Sequence, residues 1–293
     1  MIKVPQQQTP GIYHRRVGDI VVTALSDGYL DGSIDVLKNI TPDDARQILG
    51  DNFRPARRTP VNAFLVYSAG RLALIETGSG NYLLPTAGKL MENVKAAGVD
   101  PADIESVLLT HMHPDHSAGL ADMKTGKRYY PNAELVMHEN EPKHWFDDAK
   151  MSAAPERAQR LYFQAGREQV LPYKDRWRLF KQGEVFPGVT AIPRHGHTPG
   201  HTTFLISSGK EQLLIWGDIV HMPDIQTRRP DVFMEPDTDG EAAVATRKRI
   251  FDQVATDRLF CAGMHMHFPG FLNLNRHPDG GYELIPEIWQ QAL

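Results

Sequence analysis

The stretch Thr110-His111-Met112-His113-Pro114-Asp115-His116 packs three imidazoles and a carboxylate into six residues, directly after the apolar run Val107-Leu108-Leu109. A strand that ends in such a cluster sets its polar side chains on a tight loop at a sheet edge, where they converge on one point. Imidazole and carboxylate together suit Zn, and also Fe, Mn or Co, at a hydrolytic site. With 13 His in 293 residues, chance clustering of surface histidines is a poor account of this spacing. We read the stretch as a metal site.

Three further segments of the same character lie outward from it. Arg194-His195-Gly196-His197-Thr198-Pro199-Gly200-His201 follows a strand predicted at 189–192, and its three His in seven residues are too many for one centre to draw from so tight a turn. Trp216-Gly217-Asp218 follows Leu213-Leu214-Ile215, and Gly263-Met264-His265-Met266-His267-Phe268-Pro269-Gly270 follows a strand predicted at 258–261. Each alone is compatible with a structural turn. Four loops bearing imidazole or carboxylate, each at a strand end, argue for one shared centre.

Composition sets the frame. The chain is 41% hydrophobic and 23% charged, with a net charge of −4 and a sequence pI near 6.3, so no global basic field exists to hold nucleic acid or anionic lipid. The single cysteine, Cys261, excludes an internal disulfide, and its apolar setting reads as a buried thiol. No apolar run is long enough for a membrane span, and the N-terminal residues lack the apolar core of a signal peptide, so a cytoplasmic protein is expected. Residues 1–16 read as an irregular arm and 17–293 as one domain. Strands are expected at 20–25, closed by the turn signal Ser26-Asp27-Gly28, and at 63–68, 72–75, 107–109, 135–137, 189–192, 202–206, 213–216 and 258–261. Helices are expected from Thr41 as N-cap, over 83–97 and over 240–255. Residues 139–182, polar and studded with aromatics, read as a helical insert too poor in apolar residues for a core of its own. Strands bracketing helices in both halves predict a layered α/β sandwich with the chemistry on loops along one edge.

The sequence resembles the metallo-β-lactamase superfamily. The matching residues are His111-Met112-His113-Pro114-Asp115-His116, His197 in His197-Thr198-Pro199-Gly200-His201, Asp218 after Gly217, and His265. The resemblance implies a four-layer αββα sandwich and a dinuclear site, most simply two Zn2+. It implies that His111, His113 and His197 bind one metal and Asp115, His116 and His265 the other, with Asp218 and a hydroxide bridging. His195 and His201 then fall outside the ligand set. Flavodiiron, nuclease and glyoxalase II branches fit poorly: His113 stands where the first carries an acid, and the extra domains of all three are missing. Within the superfamily the chain is similar to the methyl parathion hydrolase-like branch, which includes lactonases. The likeness lies in residues 18–28, Val61-Asn62-Ala63, the 195–203 segment, and His265 followed by Phe268-Pro269-Gly270. Two departures stand out. Glu76-Thr77-Gly78 replaces the usual Asp with Glu, and His221 sits where organophosphate-degrading members are expected to carry an apolar residue.

The expectation is therefore a hydrolase in which a metal-bridging hydroxide opens a lactone or cleaves an ester, with phosphotriesters as side substrates. A dedicated organophosphate hydrolase, a β-lactamase and a non-catalytic metal-binding scaffold are the alternatives. Asp115 is expected to orient the nucleophile and move its proton, and His221 to touch substrate, as general donor or positioning group. Trp145 and Phe163 of the insert are expected to wall the pocket around a small-molecule substrate. A homodimer is the expected assembly.

Overall fold

The structure is a computed structural model that describes residues 4–5, 8–54, 56–83 and 85–293; residues 1–3 and 6–7 of the expected arm, and Leu84 of the expected helix, lie outside the described residues. Two seven-stranded sheets dominate it. The first runs β1 (Ile12–Val17), β2 (Ile20–Asp31), β3 (Arg58–Ser68), β4 (Arg71–Ile75), β5 (Ser106–Leu108), β6 (Glu134–His138) and β7 (Trp177–Phe180), in that spatial order. The second contains β8 (Gly183–Phe186), β9 (Val189–Pro193), β10 (Thr202–Ser208), β11 (Glu211–Ile215), β12 (Phe260–Ala262), β13 (Phe271–Arg276) and β14 (Tyr282–Pro286), also neighbour to neighbour.

The apolar runs are continuous because both faces of the central strands are buried. Phe64, Val66, Ala73, Ile75, Leu108 and Val136 point to a core shared with Phe204, Ile206, Leu213 and Ile215 of the second sheet. Their chain neighbours Leu65, Leu74, Val107 and Leu135 point the other way, into a core with the helix Leu90–Ala96 and the helices of the 139–176 segment. On the far face of the second sheet, Leu214 and Cys261 pack with Ile250, Phe251 and Val254 of the long helix Gly240–Asp257. Helix, sheet, sheet and helix thus form four layers. Each fully buried Leu or Ile contributes about 1.5–3 kcal/mol relative to exposure, so register is set by which face each side chain must take.

Sheet polarity places the chemistry. The pairs β4–β5, β5–β6, β6–β7 and β11–β12 are parallel, so their C-terminal ends share one edge. Glu76, the 110–116 loop, Asp218 and His265 each begin where one of these strands stops, and ligands of open parallel sheets gather at that edge. Backbone bonds tie the two sheets there: Thr202 N donates to Thr110 O (3.0 Å) and Asn62 N to Met264 O (2.8 Å). The Asn62 amide also donates to Met264 O (3.0 Å) and Met266 O (2.7 Å), stapling the His265 loop to β3.

Several sequence expectations are corrected. Part of the arm expected over 1–16 is ordered as β1, which pairs antiparallel with β2. Ser26-Asp27-Gly28 does not end a strand; it is a bulge inside β2, where Gly28 takes φ 112° and a Cβ would strike Thr86 O. The helix expected over 83–97 begins only at Leu90, because Gly88 adopts φ 83° and the Asp27 carboxylate accepts from Leu90 N (2.9 Å). The insert expected at 139–182 is helical only to Arg176; its end is β7, a parallel partner of β6. Strand β12 is not the last: Arg258, at φ 52°, closes the long helix, and β13 and β14 follow as a hairpin. Helix α1 (Pro42–Asp51) begins as expected, with Thr41 Oγ1 accepting from Asp44 N (3.1 Å) and Pro in the first turn.

Candidate metal centre

Seven side chains from four strand-end loops meet at the shared edge. His111 Nε2 and His113 Nδ1 lie 3.1 and 2.9 Å from His197 Nε2. Asp218 Oδ2 is 3.2 Å from His116 Nε2, 3.3 Å from both His197 Nε2 and His265 Nε2, and 3.6 Å from His111 Nε2. Asp115 Oδ2 is 3.4 Å from His265 Nε2 and 3.6 Å from His116 Nε2. Asp218 therefore stands between two groups, His111/His113/His197 and Asp115/His116/His265, each of which could hold a metal ion. His221 joins them, with Nε2 3.0 Å from Asp218 Oδ2 and its ring stacked on His265 at 5.4 Å.

The donor set fits cations better than a hydrogen-bonded network. Asp218 Oδ1 and the Nε2 atoms of His116, His221 and His265 are buried without a hydrogen-bond partner among the described residues, although carboxylate oxygens lie close by. Buried polar atoms left in that state are costly unless something else satisfies them. Donors on a tetrahedral Zn2+ at about 2.0–2.1 Å stand roughly 3.3 Å apart, close to the separations seen here. The tautomers agree. His265 Nδ1 donates to Pro60 O (2.7 Å), and His197 Nδ1 pairs with the Asp237 carboxylate (2.6 Å). Each leaves an Nε2 lone pair facing the cluster, the arrangement that orients metal-binding imidazoles.

Electrostatics follow from burial and company. Burial pushes His111 and His113 well below the ordinary imidazole range. Burial also opposes the charged form of His116, but Asp218, Asp115 and Glu76 outweigh it and hold that imidazole well above its usual value. Desolvation would raise Asp218, yet His116, His265 and His221 around it keep the carboxyl well below the usual range. His201 packs its ring against His111 (5.5 Å) and His197 (5.7 Å), while its Nδ1 donates to Arg194 O (2.9 Å) and its Nε2 accepts from Asp218 N (2.9 Å). Burial drives it down to about 3, so it stays neutral and holds the Asp218 backbone. His195 is outside the cluster and packs on His138 at 5.4 Å.

Three supporting carboxylates carried no sequence signal for their bracing role, Asp27 reading only as part of a turn. Asp237 orients His197. Glu141, fully buried, accepts from Met112 N (2.9 Å), Trp145 Nε1 (2.8 Å), Thr198 Oγ1 (2.5 Å) and Gly200 N (2.8 Å), bracing two ligand loops at once. Asp27 accepts from Ser79 N (2.8 Å), Gly88 N (3.1 Å) and Leu90 N, fixing the loop after β4. None shows a spacing that reveals it, because apart from Trp145 their partners are backbone amides and side chains of distant loops. Glu76 does reach its targets: it accepts from Thr110 N (2.7 Å) and lies 3.4 Å from His116 Nδ1, at a strained φ of 67°.

A cavity of about 190 Å³ opens onto Asp115, Asp218, His113, His221 and His265. Trp145 and Phe163 do not line it, contrary to expectation. They are buried and pack on each other at 4.9 Å, with Trp145 behind His113 at 5.4 Å. The π-helical turn Gln159–Gln164 is the reason: it turns Phe163 into the core and presents Leu161 and Tyr162 to the cavity.

The sequence profile of the Metallo-beta-lactamase superfamily matches residues 56–268, and the chain belongs to that superfamily and has its fold. Among solved structures it resembles hydrolase AbOPH of the beta lactamase superfamily (TM-score 0.91, 31% identity, 97% of this chain and 100% of that one). It also resembles AidC, a dizinc quorum-quenching lactonase solved with the product N-hexanoyl-L-homoserine (TM-score 0.90, 28% identity, 96% and 99%). A curated relative is the N-acyl homoserine lactonase AttM of Azorhizobium caulinodans, 28% identical over 127 residues, 42% of this chain and 43% of that protein. Another is the lactamase-like protein aptB of Emericella nidulans, 28% identical over 178 residues, 59% of this chain and 44% of that protein. The chain spans under half the length of these two relatives. Among the described residues no helix is long and apolar enough to cross a membrane.

Proposed function

We propose that the protein hydrolyses lactones or carboxylic esters of small molecules at a two-metal centre, within the methyl parathion hydrolase-like, lactonase-containing branch. His111, His113 and His197 would hold one divalent cation and Asp115, His116 and His265 the other, with Asp218 shared. Zn2+ suits the donors best, and Fe, Mn or Co are accommodated by the same set. When bound, the cations supply Lewis acidity and lower the pKa of water. The observation that carries the reading is the convergence of both triads on Asp218 at the floor of a cavity. The likeness to a dizinc lactonase over nearly the whole chain favours lactones and esters over other bonds.

The residues divide the work. Asp115, whose carboxylate lies at the cavity wall, holds the attacking water and takes its proton at Oδ1, Oδ2 being the oxygen that faces His116 and His265. The water oxygen bonds to the acyl carbon, the carbon–oxygen bond to the leaving group breaks, and Asp115 returns the proton to the leaving oxygen. Acid and alcohol are the products, joined in one hydroxy acid when the substrate is a lactone. His221, which lines the cavity beside Asp218, positions the substrate oxygen. Leu161, Tyr162 and Met234 supply apolar contact, and phosphotriesters are expected as slow side substrates.

The test is metal-loaded protein assayed side by side on an acyl-homoserine lactone, dihydrocoumarin, an aryl ester, methyl parathion and a cephalosporin. Lactone or ester turnover should dominate, with metal content and activity both lost in His113→Ala. Full activity in a metal-free variant, or dominance of the phosphotriester or cephalosporin, would overturn it.

A further inference from the structure

The cavity wall carries two arginines, Arg57 and Arg157, that the hydrolytic step above leaves unused. Among the described residues neither guanidinium has a hydrogen bond or an ion pair. The neighbouring acid Asp31 is taken by Arg58, with Nε to Oδ1 at 2.8 Å and Nη2 to Oδ2 at 3.0 Å. Arg57 Nε is buried and unpartnered. Its guanidinium rests against Gly32, where a Cβ would fall on it, so the backbone is shaped to admit the group. Burial lowers its pKa, and Arg157 adds to that while Asp115 and Tyr162 oppose it. A half-buried, unpaired cation is costly to maintain, and a carboxylate accepting from its planar fork removes that cost. Among the described residues the only carboxylates lining the cavity, Asp115 and Asp218, belong to the imidazole cluster.

We propose that the natural substrate is an anion, a lactone or ester bearing a free carboxylate, held by Arg57 and Arg157 while the scissile bond lies beside Asp115 and His221. The inference rests on the hydrolase reading and names its substrate class.

The test compares the 4-nitrophenyl monoester of glutaric acid with 4-nitrophenyl pentanoate, a neutral chain of similar length, on metal-loaded protein. The acid ester should have at least a tenfold higher kcat/KM, and the gap should narrow as salt rises. Arg57→Gln and Arg157→Gln should each lower kcat/KM for the acid ester at least tenfold more than for the neutral one, chiefly through KM. Arg57→Lys should recover part of the loss. Arg157 is exposed, so its variant reports even if Arg57→Gln fails to fold. Equal turnover of the two esters by the wild type, or equal losses on both in the variants, overturns the proposal and leaves the hydrolase reading standing. Turnover of neither ester counts against the hydrolase reading. Calorimetric binding of glutarate then decides for the arginines: binding weakened by both substitutions supports the anion site, and binding indifferent to them overturns it.

Discussion

The metal edge and the substrate wall of this protein are built by opposite rules. At the edge, every cluster residue starts where a buried strand ends, and each loop is braced by a carboxylate or a backbone bond from another loop. The wall is made of Leu161 and Tyr162 on a π-helical turn, Arg157 on a short exposed helix, and Arg57 next to an exposed loop. Its residues have few polar partners, and its helices are shorter than a stable isolated helix needs. The edge is over-determined and the wall is adjustable. On the proposed hydrolase reading, the sheets would fix the chemistry, whereas selectivity would depend on elements that can change without disturbing them.

The largest effect should come from removing a brace of the edge. Glu141→Ala leaves Met112 N, Gly200 N, Trp145 Nε1 and Thr198 Oγ1 without their acceptor in a fully buried setting. Losing several buried hydrogen bonds to a charged group should cost about 3–5 kcal/mol, read from the denaturant midpoint. A loss below about 1 kcal/mol would mean the edge is not braced as described. Burial raises the Glu141 pKa, and the four donors counter that rise, so Glu141→Gln should recover part of the loss.

A smaller effect separates the two regions directly. Asp237→Asn weakens the partner of His197 Nδ1 and should lower metal affinity about 10–100-fold, measured by chelator competition, with the fold retained. Leu161→Ala, on the wall, should change KM for an ester a few-fold and leave metal affinity untouched. If Leu161→Ala altered metal affinity as strongly as Asp237→Asn, the separation of edge from wall would fail.

The same division sets what was legible in the sequence. The residues of the edge could be read because each ligand-bearing motif directly follows an apolar run, so local order in the chain reports position in space. His221 was visible for the same reason, three residues past Asp218. The braces were not, because, Trp145 aside, Glu141, Asp237 and Asp27 act on backbone amides and side chains far along the chain, and no periodicity marks such a pairing. The wall was misread for a geometric reason. Aromatic content pointed to Trp145 and Phe163, but one π-helical turn decides which neighbour faces the cavity, and Tyr162 takes that place. Strands β13 and β14 were missed because the His265 loop looked like the end of the pattern, while the alternation at 271–274 is short and partly polar.

The smallest effect concerns the sheet behind the edge. Glu134 on β6 accepts from Arg178 of β7 at 2.7 and 2.8 Å and from Ser106 of β5 at 2.9 Å, crossing three parallel strands. Partial burial opposes its charge, but the Arg178 and Ser106 bonds outweigh burial and lower its pKa. A folded-state pKa below the unfolded value means stability that is present above about pH 4.3 and lost as pH falls through the folded value. Because Glu134 is about a third exposed, solvent screening keeps the contribution under about 1 kcal/mol. Glu134→Gln should therefore match the wild type's stability below pH 3 and fall behind it by that small margin at pH 6, in paired urea titrations of metal-free protein. A deficit as large as that expected of Glu141→Ala would show that the parallel strands depend on this surface pair as the ligand loops depend on their buried one, and the division between braced edge and self-supporting sheet would need redrawing.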